Sequence, residues 1–253
     1  MVPAFVRRRA GAAQGIGITE PLRQFEPIMD MLGSAGIWAR HSDVSPEVAG
    51  ELERLGYSTL WLGASPPAEL DVVDSLLGAT ETLVVGTSIV NIWTAPATSV
   101  AVSFHRLEAK YPGRFVLGIG AGHRENQADY RKPYEALVDY LDELDRAGVP
   151  VQHRALAALG PRVLDLARTR SAGALPYLVT PEHTRSARAR LGPDALLVFE
   201  VSMRQLCRLA PLEPAQHLFE ASPRLGESVL VGHGSPSSSV SAPLGPCPTA
   251  LTL

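Results

Sequence analysis

The chain has 253 residues, of which 45% are hydrophobic, and its 23 Lys and Arg against 26 Asp and Glu give a formal net charge of −3. This length allows one large or two small domains with a sizeable core, and so small a net charge argues against nucleic acid as a partner. No apolar run reaches the roughly 18 residues of a membrane span. The two cysteines, Cys207 and Cys247, both lie in the last quarter, so we predict no disulfide framework and expect a cytoplasmic protein.

Short apolar runs alternate with longer helical patterns between residues 36 and 201. The predicted strands are at 36–40, 59–63, 83–93, 114–122, 154–160, 174–180 and 196–201. The predicted helices are at about 46–56, 69–80, 96–111, 130–147, 161–170 and 182–191. Ser45-Pro46 and Thr180-Pro181 place a capping residue and a proline at two of these helix starts. Apolar strands separated by helices are typical of a parallel sheet covered by helices. Seven such steps favour an α/β fold of the (β/α)8 TIM-barrel-like class.

The helix at 96–111 carries Phe104 and Leu107, which either pack in the core or form an interface. Core packing is the favoured interpretation, and a homodimer remains open.

The two ends of the chain depart from this pattern. Residues 1–35 are predicted to be an N-terminal extension, either a helix or a segment added by a start codon placed too early. Residues 202–253 are rich in Ser, Pro and Gly, and we predict an irregular tail after the barrel domain at 36–201. The run SVLVG at 228–232 is a candidate last strand. The final β/α unit is therefore expected to be incomplete or irregular, and a truncation or frame change near Val201 would explain the shift in composition.

A glycine-rich run, GIGAG, stands at 118–122 at the end of the fourth predicted strand. Its spacing fits the dinucleotide fingerprint poorly, because no helix opens directly from it. In a barrel, glycines at a strand end instead let a flat ligand approach closely. The next residue, His123, is either a surface histidine or a site residue.

The run ALGPRVLDLA places Gly160 and Pro161 at a strand-to-helix turn, with Arg162 beside them. A helix N-terminus next to a basic residue suits a phosphate, although a routine capped turn explains the same pattern. Glu182 and His183 open the next helix, either as a cap or as part of a pocket.

We predict no metal site. A metal-dependent barrel hydrolase carries His-x-His at its first strand, whereas GIWARHSD offers His41 alone. The nucleophile-elbow and P-loop motifs are also missing from the sequence.

Two segments together resemble the luciferase-like monooxygenase family, and within it the branch of coenzyme F420-dependent oxidoreductases. The first is GTSIVNIWTAPATSVAVSFHRLEAKYPGRFVLGIGAGHRE, which resembles the family's third strand, helix and fourth strand. The second is ALGPRVLDLARTRSAGALPYLVTPEHT, which resembles its fifth strand, phosphate turn and sixth strand. The resemblance spans residues 36–201 and implies F420 as the cofactor, with FMN as the alternative.

The resemblance also implies roles for individual residues. A bulge with a non-proline cis peptide would fall at Ser88-Ile89, followed by Val90 and Asn91, and would support the cofactor ring. The phosphate would be held by Gly160, Pro161 and Arg162, and the reactive face would be bordered by Gly120, Gly122 and His123.

By the same resemblance, the expected reaction is hydride transfer between a deazaflavin and a small organic substrate. His123 would be the acid or base, Asn91 would bind the substrate or a ring carbonyl, and Trp93, Glu182 and His183 would line the pocket. An FMN-dependent monooxygenase and a non-catalytic truncated barrel are the alternatives.

The sequence departs from the family in three places. The second strand ends in Gly63-Ala64-Ser65 where many relatives carry a polar pair, and His123 stands where an acidic residue is frequent. The Ser/Pro-rich tail replaces the family's closing elements.

Overall fold

The structure is a computed structural model that describes residues 32–33, 35–122, 132–202 and 229–233. Residues 35, 200–202 and 229–233 are described by their backbone alone. The strands are β1 (Ala35–Arg40), β2 (Thr59–Gly63), β3 (Val84–Thr87), β4 (Val90–Asn91), β5 (Phe115–Gly120), β6 (Arg154–Leu156), β7 (Gly173–Ala174), β8 (Leu196–Ser202) and β9 (Val229–His233). The helices are α1 (Pro46–Arg54), α2 (Asp71–Gly78), α3 (Ala97–Lys110), α4 (Pro133–Arg146), α5 (Pro161–Arg170) and α6 (Pro181–Leu191).

The strands form one sheet in the order β3-β2-β1-β9-β8-β7-β6-β5-β4, with an additional pairing between β3 and β5. The pairs among β1 to β8 are parallel, and helices alternate with these strands along the chain. The parallel strands therefore curve into a barrel-like sheet, which confirms the predicted TIM-barrel-like α/β class.

The candidate last strand is present as β9. It is irregular, as expected for the final β/α unit, because its direction differs from that of the other strands. It runs antiparallel to both neighbours, with Val231 opposite Gly36 of β1 and opposite Glu200 of β8. In an ordinary barrel, a parallel strand at this place would pair with the backbone groups of both edge strands, β1 and β8. Here β9 supplies their backbone partners and bridges the two edges of the parallel sheet.

Side chains alternate between two apolar layers. On β2, Leu60 and Leu62 point towards the helices and belong to the larger core cluster, whereas Trp61 points into the barrel. The inner cluster also contains Val84, Val116, Ala155, Leu196 and Val198.

The two predicted helix caps are confirmed. The hydroxyl of Ser45 accepts from Val48 N at the start of α1, and that of Thr180 accepts from His183 N at the start of α6. In α3, Phe104 and Leu107 are 1% and 0% exposed, so the core interpretation of that helix is confirmed. None of the helices in the described ranges is long and apolar enough to cross a membrane.

Three predicted strands are wrong in extent. The third, predicted at 83–93, is broken into β3 and β4. The fifth and sixth, predicted at 154–160 and 174–180, pair only over β6 and β7. Beyond β7 the chain turns outward: Tyr177 and Leu178 are exposed and Leu178 has a left-handed φ of 46°. The apolar residues that follow β6 and β7 therefore lie in loops at the barrel mouth rather than in paired strands.

Candidate functional site

Parallel strands bring their C-terminal ends to one edge of the barrel, where most barrel enzymes carry their sites. Arg40 of β1 pairs with Gly63 of β2, and Ser88, directly after β3, donates its N–H to Leu62 O at 2.7 Å. Asn91 of β4 pairs with Gly120 of β5. The strand-end residues predicted as a site therefore share one edge.

The break in the third strand lies at Ser88-Ile89, whose peptide bond is cis, as predicted. The Ile89 side chain packs against the inner cluster. A Cβ added at Gly120 would lie 3.0 Å from Ile89 Cγ1 and 2.8 Å from Ala157 Cβ. Gly120 therefore leaves room for the bulge to lean towards β5 and the β6 end.

Asn91 starts the turn that leads into α3. It is 8% exposed, its Oδ1 accepts from Trp93 N at 3.0 Å, and its backbone oxygen accepts from Ala95 N. Gly122 has a φ of 62°, and a Cβ there would lie 2.8 Å from Asn91 Nδ2. Because the oxygen of the Asn91 amide holds the turn, its NH2 group is the part that can contact a ligand.

Trp93 links the two strand ends. Its Nε1 donates to Ala121 O at 2.7 Å, which ties the turn after β4 to the end of β5. The ring therefore forms a half-buried brace at the edge where a pocket wall was predicted.

The predicted phosphate turn forms the N-terminus of α5. Gly160 is the N-cap without a side-chain hydrogen bond, Pro161 occupies the first turn, and Gly160 O accepts from Val163 N. The Arg162 guanidinium lies over the Tyr134 ring, 4.1 Å from its centroid. A Cβ at Gly160 would meet nothing within 4 Å, so the helix start faces open space. An uncapped helix N-terminus beside a held cation is suited to an anionic group.

Glu182 and His183 lie in the first turn of α6, and His183 contacts the loop before α5. His183 Nε2 is 2.8 Å from Leu159 O, so that nitrogen carries the proton and ties α6 to the loop before α5. His183 Nδ1 is buried without a hydrogen-bond partner among the described residues. Hydrogen bonds from its own backbone N–H and from Thr180, together with nearby Arg185, lower the pKa of Glu182. His183 therefore supports the loop before the phosphate turn, whereas Glu182 pairs with Arg185 within α6.

His123 lies outside the described residues. His153 precedes β6 at the opposite end of the barrel, and its Nδ1 is 3.6 Å from Glu108 Oε2. In the described part of the chain no group of three or more His, Cys, Asp or Glu could hold a metal ion.

Sequence reasoning missed the tryptophans inside the barrel. A Cβ at Gly63 would lie 1.9 Å from Cζ2 of Trp38, and one at Gly86 would lie 2.4 Å from Cε3 of Trp61. Each tryptophan therefore covers a glycine on the next strand. Strand alternation in GIWAR places Trp38 and Arg40 on one face and could have identified them.

Residues 43–155 match the family described as luciferase-like monooxygenase. An F420-dependent secondary alcohol dehydrogenase in complex with an F420-acetone adduct has a similar structure, with a TM-score of 0.52, 16% identity and coverage of 60% of this chain and 59% of that one. A coenzyme F420 dependent tetrahydromethanopterin reductase from Methanopyrus kandleri gives a TM-score of 0.49, 17% identity and coverage of 62% and 59%.

The chain thus spans 59% of the length of each of these two structures. No curated protein matches it. The resemblance inferred from the sequence is nonetheless confirmed, because residues 43–155 carry the sequence pattern of the luciferase-like monooxygenase family.

Proposed function

We propose that the protein is an F420-dependent oxidoreductase that transfers hydride between the deazaflavin and a small organic substrate. The observation that carries the proposal is the open N-terminus of α5, with Arg162 held over Tyr134. It faces the same barrel edge as the bulge at Ser88-Ile89. An anion site and a ring support on one edge fit a flat cofactor with a phosphate.

The choice of F420 rests on the similar fold of the alcohol dehydrogenase that holds an F420-acetone adduct. An FMN phosphate would suit the same turn, so FMN is the alternative. A cytoplasmic location belongs to the same proposal.

In this proposal Gly160, Pro161 and Arg162 bind the phosphate through the helix N-terminus and the guanidinium. Ile89, whose side chain packs against the inner cluster, supports one face of the ring, whereas Val90 contributes its backbone because its side chain belongs to the larger, helix-facing cluster. Gly120 and Gly122 border the reactive face. The cofactor, when bound, supplies or accepts the hydride.

The remaining roles fall to the chain's own side chains. The Asn91 NH2 group donates to a substrate or ring oxygen, and Trp93 limits access of water at the edge. His123, which follows Gly122 in the sequence, is proposed to exchange the proton, because imidazole changes charge near neutral pH.

The test is a fluorescence titration of the full-length protein with F420 and separately with FMN, on the wild type, Arg162→Ala and Arg168→Ala. Arg168 is exposed in the last turn of the same helix and is the matched control. Losing one charge-assisted contact costs about 1.5–3 kcal/mol, so Arg162→Ala should weaken F420 binding by about ten- to a hundredfold. Arg168→Ala should bind as the wild type does.

Saturable binding of FMN alone would move the proposal to a flavin-dependent monooxygenase. Failure to bind either cofactor, by a protein that melts cooperatively, would contradict the proposal and favour a non-catalytic barrel. Equal losses in both arginine variants would exclude a specific role for the α5 turn.

A further inference from the structure

The face of β1 that points into the barrel carries two hydrogen-bond donors beyond those assigned above. The indole Nε1 of Trp38 is buried and has no hydrogen-bond partner within the described ranges. Arg40, two residues further on the same face, is exposed at the C-terminal edge. Its guanidinium makes no salt bridge with a carboxylate in the part of the chain that the structure describes.

Both donors lie next to Gly63. Trp38 leans along the barrel so that its Cε2, the carbon bonded to Nε1, would lie 2.4 Å from a Cβ at that glycine. Arg40 is the register partner of Gly63, and His41 N donates to Gly63 O at 3.2 Å. Since Gly63 has no side chain, β2 leaves the room that the Trp38 indole occupies, directly beside the backbone of Arg40.

The nearest acidic residue in sequence is already engaged. Asp43 Oδ1 accepts from the Ser42 hydroxyl at 2.7 Å, and Asp43 N donates to Arg40 O at 3.0 Å. The rim at β1 and β2 therefore presents a cation and a buried N–H beside the proposed ring support at Ser88, with no neutralising carboxylate among the described neighbours. A buried donor without an acceptor is costly, and a ligand oxygen would satisfy it.

We propose that Arg40 and Trp38 bind the carboxylate of an anionic organic substrate, with the guanidinium at the mouth and the indole N–H deeper in the barrel. The planar guanidinium matches a carboxylate through two parallel hydrogen bonds, and the indole can donate only one more. This inference rests on the proposed function, because it names the class of substrate that would lie against the cofactor. It makes Arg40 and Trp38 the residues that select that class.

The test uses three probes of similar size: benzoate, its neutral analogue benzamide, and phenyl phosphate. Each is titrated by calorimetry into the full-length wild type, Arg40→Gln, Arg40→Lys and Trp38→Phe. Arg54→Gln is the control, because Arg54 is another exposed arginine, at the far end of α1. Circular dichroism checks that each variant is folded, and F420 is titrated into each in parallel.

We expect the wild type to bind benzoate at least tenfold more tightly than benzamide, and Arg40→Gln to lose that preference. Arg40→Lys should retain part of it, because the charge stays while the planar fork is lost. Trp38→Phe keeps the ring, removes the N–H and should weaken benzoate binding by about three- to tenfold. Arg54→Gln should match the wild type.

Unchanged benzoate binding in Arg40→Gln, or a preference for phenyl phosphate, would overturn the inference. Loss of F420 binding in Arg40→Gln with benzoate binding intact would assign Arg40 to the cofactor, which overturns the inference but keeps the proposed function. If the protein binds benzoate through Arg40 but binds neither F420 nor FMN, the carboxylate site stands and the proposed F420-dependent function is overturned.

Discussion

Glycine at position 120 lets the bulge after β3 approach the end of β5. A methyl group added there would lie within 3.2 Å of Ala157 and Ile89, and Ile89 belongs to the proposed ring support. A methyl group added at Gly160 would meet nothing within 4 Å. Close packing therefore favours glycine at 120, whereas the described surroundings of position 160 leave room for a larger residue.

This difference predicts different effects of alanine. Gly120→Ala should lower the free energy of unfolding by about 1–3 kcal/mol, because the methyl overpacks Ile89 and Ala157. Gly160→Ala should change it by less than about 1 kcal/mol, because its φ of −84° suits alanine. Urea denaturation of both variants measures this, and a loss in Gly120→Ala as small as that in Gly160→Ala would contradict the overpacking argued from these contacts.

At the scale of elements, α1 is tied to the loop before β3 by one carboxylate. Glu53 Oε1 accepts from Thr82 N at 2.6 Å, Leu83 N at 2.8 Å and the Thr82 hydroxyl at 2.8 Å, and both of its oxygens accept from Glu81 N. Burial alone would raise the pKa of Glu53. These hydrogen bonds instead lower it from 4.5 to about 2. The contact lies at the end of the barrel opposite the candidate site.

A carboxyl whose pKa falls on folding stabilises the protein above its unfolded pKa and loses that contribution as the pH falls. The contribution of Glu53 should be complete above about pH 5 and decline between 4.5 and about 2. Glu53→Gln should therefore lower the free energy of unfolding at pH 7 by about 1–2 kcal/mol, a value reduced for partial solvent exposure.

The measurement is urea denaturation of the wild type, Glu53→Gln and the exposed control Glu69→Gln at pH 7 and pH 3. The gap between wild type and Glu53→Gln should narrow at pH 3, while Glu69→Gln follows the wild type. A gap independent of pH would contradict an ionic role for Glu53.

At the scale of the whole molecule, closure of the sheet depends on β9. This strand pairs antiparallel with β1 and with β8, so its backbone joins the first and last parallel strands. A barrel whose edges were left unpaired would expose backbone donors and acceptors along β1 and β8.

Proline at the centre of β9 tests this closure. Val231 is the register partner of both Gly36 and Glu200. Val231→Pro removes its backbone N–H and should lower the free energy of unfolding by about 3 kcal/mol or more. Val231→Ala keeps that N–H and is the control for the side chain. If both variants unfold alike in a thermal melt, the backbone pairing of β9 does not stabilise the barrel.

The sequence alone determined the features set by local chemistry. The alternation of apolar runs and helical patterns predicted the barrel class, and Ser45 and Thr180 marked helix starts, because capping depends on residues a few positions apart. The resemblance located the bulge at Ser88-Ile89, since it is carried by a continuous motif.

Only the tertiary structure decided the features that depend on contacts between distant segments. The lengths of β6 and β7, the antiparallel direction of β9 and the placement of Trp38 over Gly63 follow from which strands become neighbours. Apolar residues form the same local sequence pattern in a loop at the barrel mouth as in a paired strand. The partner that distinguishes them lies many residues away, so its identity is fixed only when the sheet is assembled.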